Sequence, residues 1–355
     1  MVNVQIETLL KLMVQKGASD LHISVFSPPQ LRIDEQLVPT EFGALAAEDT
    51  KRLAYSMLKP QHIEKFEREL ELDVSFGIEG LGRFRVNVFL QRGYVSAAVR
   101  LLPLHIMSFE ECGLPLNVVE DLCKRPKGLV LVTGATGSGK STTLASMVDK
   151  INSERNCHIV IVEDPIEYVH KNKKALVDQR EVGSDTQSFA QSLKHVLRQD
   201  PNVILIGEMR DLETIEAALD IAETGHLVLS TLHTSDAVQT INRVIDVFPS
   251  HQQQQVRIQL SFVLLGILAQ QLIPKASGHG RVLATEVLIA TPAVRSLVRE
   301  AKTHQLYSVI QTSQKEGMRT MNQTLFELYT KKLISYEDAI LRSTDPDDLD
   351  RLFRK

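Results

Sequence analysis

Tryptophan is absent from this chain of 355 residues, and cysteine occurs only three times. Cys112, Cys123 and Cys157 are far apart in the sequence and form no C-x-x-C pair. The sequence therefore indicates neither a disulfide framework nor a zinc site, and it favours a protein of a reducing compartment.

An excess of positive charge and a long apolar run are also missing. The formal net charge is -4, whereas proteins that bind nucleic acids normally carry a strongly basic face, so we expect no nucleic-acid partner. The longest largely apolar run, residues 260–269, is much shorter than the roughly 20 residues that cross a bilayer. No secretory signal is recognisable near the first residue. We expect a cytoplasmic protein, which leaves open that it docks on a membrane complex.

One glycine-rich segment fits the phosphate-binding loop pattern G-x-x-x-x-G-K-[ST] without a gap. A buried strand is predicted at residues 128–133 before the loop and a helix after it, which is the context that this motif requires. The pattern predicts that Lys140 contacts the β- and γ-phosphates of ATP and that the Ser141 hydroxyl binds Mg²⁺; the alternative is an ordinary glycine-rich turn. The residues predicted to bind the nucleotide are Gly134, Ala135, Thr136, Gly137, Ser138, Gly139, Lys140, Ser141 and Thr142.

The first 102 residues have the alternating pattern of a small α/β domain. We expect a helix at residues 4–14 that ends at Gly17, and a helical segment at residues 48–70. No period persists from residue 103 to residue 117, which predicts a linker. Alternating segments predict strands at residues 20–24, 30–34, 72–76, 83–89 and 95–102.

Short continuous apolar runs separated by helical segments characterise the chain from residue 118 to residue 290. Such runs are typical of parallel strands that are buried on both faces, and the arrangement predicts an α/β fold of the RecA-like P-loop type. Beyond Pro249 we expect helices, beginning with Ser250 as an N-cap, apart from a strand pair near residues 281–288. Residues 291–355 are expected to form a helical C-terminal region. The predicted strands are 129–133, 159–162, 203–206 and 227–231, and helices are predicted at 188–198 and 212–223.

Acidic residues follow two of the predicted buried strands directly. Glu163 comes after the strand at 159–162, and Glu208 comes after the strand at 203–206. In an open α/β sheet the ligand lies beyond the carboxyl ends of the strands, so these carboxylates are placed to meet the nucleotide. We expect Glu208 to help bind Mg²⁺ and Glu163 to orient or deprotonate the attacking water. The alternative is that both acids face solvent.

Two histidines, His226 and His233, flank the predicted strand at 227–232. A histidine near a γ-phosphate can donate a hydrogen bond and report whether that phosphate is present. His233 follows the carboxyl end of the strand and is the better placed of the two. The alternative is a hydrogen-bonded structural role.

Three arginines of the first domain share the strands predicted at 83–89 and 95–102. Arg83 and Arg85 lie on one face of their strand, and Arg100 lies on the next strand. Neighbouring guanidinium groups repel unless an anion lies between them, which favours a phosphate clamp that acts within the chain or on a neighbouring subunit. A solvated sheet face is the alternative.

The segment at 291–300 begins with an N-cap threonine, Thr291, and an N1 proline, Pro292. Ala293, Val294, Leu297, Val298 and Ala301 are expected to form one apolar face. Arg295 and Arg299, four residues apart, form a like-charged pair that is unfavourable unless a partner answers it. A plain surface helix is the alternative.

Taken together, these segments resemble the secretion-superfamily ATPases, and among them the PilT-type motors that retract type IV pili. The resemblance covers nearly the whole chain. Residues 17–22 resemble the start of the family's PAS-like N-terminal domain, and residues 293–300 resemble its A-I-R-N-L-I-R-E signature, with Val294, Ser296 and Val298 as departures. The other matching segments are the Walker A loop at 134–141, the "Asp box" at 162–168, the Walker B segment at 203–211 and the "His box" at 224–234.

The resemblance implies a function and its partners. It implies a hexameric ring that hydrolyses ATP with Mg²⁺, lies at the inner face of the cytoplasmic membrane and passes domain rotation to a platform protein, with a paralogous retraction ATPase as a possible partner. It also implies that Glu163 is the general base, that Arg83, Arg85 and Arg100 contact phosphate, and that the helix at 293–300 is needed for retraction but not for hydrolysis. The alternatives are a pilus-extension or type II secretion ATPase, a RecA-like nucleic-acid translocase, and a nucleotide switch without turnover.

Overall fold

The computed structural model describes residues 4–33, 36–103 and 105–354. The chain divides into two compact units, Met1–His105 and Ile106–Lys355.

Within residues 4–33 and 36–103, the N-terminal unit forms an antiparallel sheet with three helices. Its strand order is β3-β2-β1-β6-β5-β4, and one face of the sheet packs through Leu21, Phe84 and Val99 against Leu9 and Met13 of the first helix. The elements are α1 (Ile6–Gln15), β1 (Asp20–Ile23), β2 (Gln30–Ile33), β3 (Gln36–Pro39), α2 (Ala47–Tyr55), α3 (Pro60–Glu69), β4 (Glu71–Ile78), β5 (Gly82–Gln91) and β6 (Tyr94–Leu101).

The helical segment predicted at 48–70 is divided into two helices, α2 and α3. Pro60 occupies the first turn of α3, and Lys59 before it has extended backbone angles. A proline disfavours helical geometry in the residue that precedes it, so it ends one helix and is well suited to begin the next.

The larger unit is built on a seven-stranded sheet of order β13-β12-β7-β11-β10-β8-β9. The strands β12, β7, β11, β10, β8 and β9 are parallel to their neighbours, and only the pairing of β13 with β12 is antiparallel. The strands are β7 (Gly128–Thr133), β8 (His158–Glu163), β9 (Leu176–Glu181), β10 (Val203–Ile206), β11 (Leu227–Leu232), β12 (Leu264–Pro274) and β13 (Arg281–Ile289). This is the predicted mixed α/β fold.

Helices cover both faces of this sheet and form the C-terminal region, as predicted. Val294 and Val298 of α11 join the core of the sheet, whereas Leu325 and Ile334 belong to a separate C-terminal core. None of the helices in the described part of the chain is both long and apolar enough to span a bilayer. The helices are α4 (Phe109–Cys112), α5 (Leu116–Lys124), α6 (Lys140–Glu154), α7 (Phe189–Val196), α8 (Leu212–Glu223), α9 (Ala237–Asp246), α10 (Ser250–Val263), α11 (Pro292–Arg299), α12 (Leu306–Thr312), α13 (Met321–Thr330), α14 (Tyr336–Arg342) and α15 (Pro346–Phe353).

The prediction that helices follow Pro249 missed a strand next to the phosphate-binding loop. The apolar run 260–269 is divided: its first part ends α10, and the rest begins β12, which pairs with β7. An apolar run of this length does not distinguish a buried helix from a buried strand, because both lack alternation. Ser250 is the first helical residue, and Pro249 is the N-cap.

Candidate functional site

The phosphate-binding loop connects the carboxyl end of β7 with α6 in backbone conformations that favour glycine. Gly134 has φ +141°, and a β-carbon at this position would collide with the Gln270 carbonyl oxygen and lie 2.6 Å from Ser138 Oγ. Gly139, with φ +90°, is the N-cap of α6. The loop amides and the first turn of α6 thus lie together, an arrangement that suits an anion.

Lys140 folds back over the loop that precedes it. Its Nζ donates hydrogen bonds to the carbonyl oxygens of Gly134 at 2.8 Å and Ala135 at 2.9 Å, and the residue is only 9% exposed. Burial lowers the pKa of Lys140, while the nearby carboxylates of Glu167 and Glu208 act in the opposite direction. The ammonium group is therefore held at the loop, within electrostatic reach of two acids.

The predicted acids and His233 lie at the same edge of the sheet as this loop. Glu163 ends β8, Glu208 follows β10 and His233 follows β11, and these strands are parallel to one another and to β7. The turn after β10 is fixed on both sides: Gly207 N–H donates to Val162 O at 2.8 Å, and Thr231 Oγ1 donates to Gly207 O at 2.6 Å.

Glu208 is largely buried and has two cationic or polar neighbours. Its side chain is 16% exposed, and its carboxylate lies 2.6 Å from Arg210 Nε and 3.3 Å from His233 Nε2. The Glu208 oxygens and the Ser141 hydroxyl are hard donors of the kind that Mg²⁺ prefers, so these residues fit the predicted metal role. No group of three or more His, Cys, Asp or Glu side chains within residues 4–33, 36–103 and 105–354 could hold a metal.

The first turns of α6 are bonded to the acidic segment after β8 and to β12. Thr142 Oγ1 lies 2.9 Å from the hydroxyl of Tyr168, which belongs to that segment, and Gln270 Nε2 donates to Thr143 Oγ1 at 2.8 Å. Sequence reasoning missed Gln270, which is 1% exposed. The signal was the pair Gln270-Gln271 inside an otherwise apolar run, where a buried polar side chain requires a partner.

His226 lies at the opposite edge of the sheet from the phosphate-binding loop. Leu227, next to it, pairs with Gly128 at the start of β7, whereas Leu232 pairs with Thr133 at the end of β7. The Nδ1 atom of His226 lies 3.1 Å from Ile221 O and 3.2 Å from Thr224 Oγ1. Within this chain the structure does not bring His226 to the loop, and its placement favours the structural alternative.

The three N-terminal arginines share the sheet face opposite the buried side chains of Phe84 and Val86. Arg85 and Arg100 are directly opposite each other in the pairing of β5 with β6. Carboxylates answer both guanidinium groups: Arg100 Nε donates to Asp20 Oδ1 at 2.8 Å, and Arg85 Nε lies 3.8 Å from Asp73 Oδ1. Arg83 Nη2 donates to Ser75 Oγ at 2.7 Å. Neighbouring side chains thus offset part of the repulsion between the arginines on which the prediction of a phosphate clamp was based.

The helix α11 begins as predicted, since Thr291 Oγ1 accepts from Val294 N–H. Its buried residues are Val294 and Val298, with Leu297 partly packed, whereas Ala293 and Ala301 are exposed, contrary to prediction. The backbone of Ala301 has already left the helix, with φ +58°.

Arg295 is the anchor of α11 rather than part of an open charged face. Its Nε donates to Ala290 O at 3.0 Å, and its Nη1 donates to the carbonyl oxygens of Ser261 and Phe262, at 2.7 Å for the second. These two carbonyls belong to the last turn of α10, where intrahelical partners are missing. Arg299 lies over the exposed Phe262 ring at 6.0 Å.

Comparison with known proteins gives a consistent picture. Residues 1–340 match the family model described as "Type II/IV secretion system protein". The chain is 46% identical over 345 residues to the type IV pilus retraction ATPase PilT of Pseudomonas aeruginosa, covering 97% of this chain and 100% of the relative. It is 41% identical over 346 residues to the type IV pilus ATPase PilU of the same organism, covering 98% of this chain and 90% of the relative.

A solved structure supports the same relationship. The crystal structure of the pilus retraction motor PilT with bound ADP superposes with a TM-score of 0.93 at 52% identity, covering 98% of this chain and all of that one. The resemblance to the PilT-type ATPases and the predicted fold class are confirmed. This chain belongs to the type II/IV secretion system protein family.

Proposed function

We propose that this chain is the ATP-hydrolysing subunit of a motor that powers type IV pilus retraction. The observation that carries the proposal is the convergence of the phosphate-binding loop, Lys140, Glu163, Glu208 and His233 at one edge of a parallel sheet. Its support from outside the chain is the near full-length similarity to a retraction ATPase.

Each residue at this edge has a defined role in the proposal. The loop amides and Lys140 bind the β- and γ-phosphates, and the Lys140 ammonium exchanges its loop carbonyls for phosphate oxygens when ATP arrives. Glu163 orients the attacking water and accepts its proton. His233 reports the γ-phosphate. Its Nε2 lies 3.3 Å from Glu208, and this contact holds the imidazole at the edge of the sheet where the phosphates bind. The hydroxyls of Ser141 and Thr142, in the first turn of α6, complete the set of nucleotide-binding groups.

Ser141 and Glu208 are the residues that would hold Mg²⁺, which when bound neutralises charge that develops on the phosphates. Glu208 brings one carboxylate to this task, already oriented by Arg210 and His233. Cleavage of ATP to ADP and phosphate follows from positioning and charge rather than from covalent chemistry.

What the motor drives is inferred from the similarity of the chain to its relatives. We infer a hexameric ring at the inner face of the cytoplasmic membrane, in which Arg83, Arg85 and Arg100 contact phosphate and hydrolysis rotates the N-terminal domain against the ATPase domain. The ring passes this rotation to an inner-membrane platform protein. The existence of two pilus ATPases in Pseudomonas aeruginosa, PilT and PilU, supports a paralogous ATPase as a further partner. The proposal divides the chain by function into an N-terminal domain (1–102), a linker (103–117), an ATPase domain (118–290) and a helical C-terminal region (291–355).

Release of inorganic phosphate from ATP by the purified protein tests the enzymatic part. The wild type should hydrolyse ATP when Mg²⁺ is supplied, and Lys140→Ala should lower the rate by at least about 100-fold, the usual cost of removing one preorganised donor. Lys194→Ala, at an exposed position of α7, is the matched control and should hydrolyse normally. A wild-type ring that binds ATP but releases no phosphate would indicate a nucleotide switch rather than a motor.

The phenotype of a strain that lacks the gene tests which process the motor drives. Retained surface pili without twitching motility support retraction, whereas loss of pili indicates an extension motor and loss of secreted proteins indicates a secretion ATPase. Stimulation of hydrolysis by single-stranded DNA, weakened by salt, would instead indicate a nucleic-acid translocase.

A further inference from the structure

The helix α14 brings a charged side chain to the phosphate-binding loop from the C-terminal region. Arg342 is the last residue of α14, yet it lines the same pocket as Gly134, Ala135 and Gly137 of the loop. The other lining residues are Thr136, Ser138, Ser235, Gln270, Gln271 and Leu272. More than 200 residues of sequence separate Arg342 from the loop, so no local motif predicts this contact.

The strand β12 holds the end of α14 at the pocket. Gln271 Nε2 donates to the backbone carbonyl of Arg342 at 3.3 Å, while the neighbouring Gln270 bonds to Thr143 of α6. Two successive glutamines therefore connect α6 and α14 to the same strand. Because the Gln271 bond uses the Arg342 backbone, it leaves the guanidinium group for another contact.

Two polar atoms of this pocket lack a partner within the described residues. Arg342 Nε and Ser138 Oγ are both buried and make no hydrogen bond to residues 4–33, 36–103 or 105–354. A buried donor without a partner costs free energy, so such atoms point to a group that is absent from the protein itself. Among the described residues that line the pocket, Arg342 is the only charged one. Loop amides together with one guanidinium group favour an anion.

We propose that Arg342 binds the phosphate chain of the nucleotide in the same chain, as a cationic contact that the C-terminal region supplies. This inference rests on the proposed function, since it assigns a further residue to the same nucleotide site. A guanidinium group presents several N–H donors in a plane and matches phosphate oxygens. The contact makes the position of α14 depend on the bound nucleotide and thereby couples the C-terminal helices to the loop.

Competition binding to the full-length protein tests the proposal. A fluorescent ATP analogue is displaced by ATP, by ADP and by inorganic tripolyphosphate, which has no base or ribose. In Arg342→Gln, ATP and tripolyphosphate should both bind about 10- to 100-fold more weakly, the range of one charge-assisted hydrogen bond. Arg342→Lys keeps the charge without the planar donors and should lie between this variant and the wild type. Arg351→Gln, an exposed arginine of α15, is the matched control and should bind normally.

The outcomes separate this inference from the proposed function. Wild-type binding of both competitors by Arg342→Gln overturns the inference alone, whereas a wild type and control that bind no ATP overturn the nucleotide site itself. Weaker ATP binding with unchanged tripolyphosphate binding moves Arg342 from the phosphates to the base or ribose, and so overturns the assignment. The melting temperature without ligand identifies a variant that has lost its fold, and in that case Arg342→Lys decides.

Discussion

His233 Nε2 lies 3.3 Å from Glu208 Oε2, and this contact joins the residues that follow two adjacent parallel strands. Arg210 approaches the other oxygen of the same carboxylate at 2.6 Å. Glu208 is thus fixed from two sides, whereas Glu163 comes from the next strand along the sheet. The two acids thus enter the site from neighbouring strands, and the roles proposed for them are metal binding for Glu208 and activation of water for Glu163.

Replacement of Glu163 by glutamine should separate binding from turnover. The amide keeps the size of the side chain but cannot accept a proton, so hydrolysis should fall by about 100-fold or more while ATP binding is retained. Phosphate release and fluorescent-nucleotide binding on the same preparation measure the two effects. Glu216→Gln, at an exposed position of α8, is the matched control. Wild-type turnover in Glu163→Gln would contradict the assigned role.

Glu208→Gln should show a different defect from Glu163→Gln. Loss of its charge weakens the proposed Mg²⁺ site and leaves Arg210 and His233 without their anionic partner. We expect the Mg²⁺ concentration for half-maximal hydrolysis to rise by about 10-fold or more, the usual effect of perturbing a metal shell. The measurement is a Mg²⁺ titration of phosphate release. An unchanged Mg²⁺ dependence would show that Glu208 acts only through its protein neighbours.

The opposed pair Arg85 and Arg100 allows a test of action between subunits. Arg85→Gln and Lys140→Ala subunits should each be inactive alone, but a mixed ring contains sites with an intact loop from one subunit and intact arginines from its neighbour. If the arginines act on a neighbouring subunit, mixing should restore hydrolysis. Arg92→Gln, at the turn that follows β5, is the control and should be active by itself. Mixed rings that form but remain inactive would restrict the arginines to their own chain or to the sheet face, where Asp20 and Asp73 already answer them.

A buried carboxylate outside the candidate site, Glu286 of β13, should make stability depend on pH. Burial raises the pKa of Glu286 to about 7, although the N–H groups of Ala237 and Met321 donate to it and act in the opposite direction; Asp236 raises it further. Below the ordinary value of 4.5 the group is protonated in both states. As the pH rises toward 7, the unfolded chain releases this proton and the folded chain retains it, so stability is lost over that window.

Glu286→Gln should remove this dependence. The free energy of unfolding of the variant relative to the wild type should rise by about 3 kcal/mol from pH 4.5 to pH 7, because each pKa unit corresponds to about 1.4 kcal/mol. Denaturant unfolding of both proteins over this range measures the difference and cancels groups that they share. Parallel curves would show that Glu286 does not titrate between these values.

The sequence predicts this site where local pattern determines geometry, and fails where distant segments meet. The loop, Glu163, Glu208 and His233 are predictable because parallel strands end at one edge, so a residue just after a buried strand is placed there. Gln270 and Arg342 are not, because β12 resembles a helix in its apolar run and α14 reaches the pocket only through the tertiary fold. His226 precedes its strand, so the same rule places it at the opposite end from the loop, and the structure has it there.

The environment of Arg295 predicts a difference between two arginines that the sequence presents as a pair. Arg295 donates to three backbone carbonyls at the end of α10 and before α11, whereas Arg299 lies over the exposed ring of Phe262. Arg295→Lys should lower the free energy of unfolding by about 2 kcal/mol, since it loses charge-assisted bonds to carbonyls that then lack a partner. Arg299→Lys should cost less than about 1 kcal/mol, as expected for an exposed cation–π contact.

The same two variants test whether α11 serves the load rather than the chemistry. Arg295 joins α11 to the end of α10, where the chain enters β12, and it touches neither the loop nor the strand-end acids. We therefore expect Arg295→Lys to hydrolyse ATP within about threefold of the wild type at a temperature well below its unfolding midpoint, yet to fail in twitching motility. Arg299→Lys serves as the matched charge-conserving control for stability. Loss of hydrolysis in folded Arg295→Lys would show that α11 takes part in catalysis. In that case the contact of Arg295 with the end of α10 would set the position of β12, and therefore of Gln270, which bonds to Thr143 of α6.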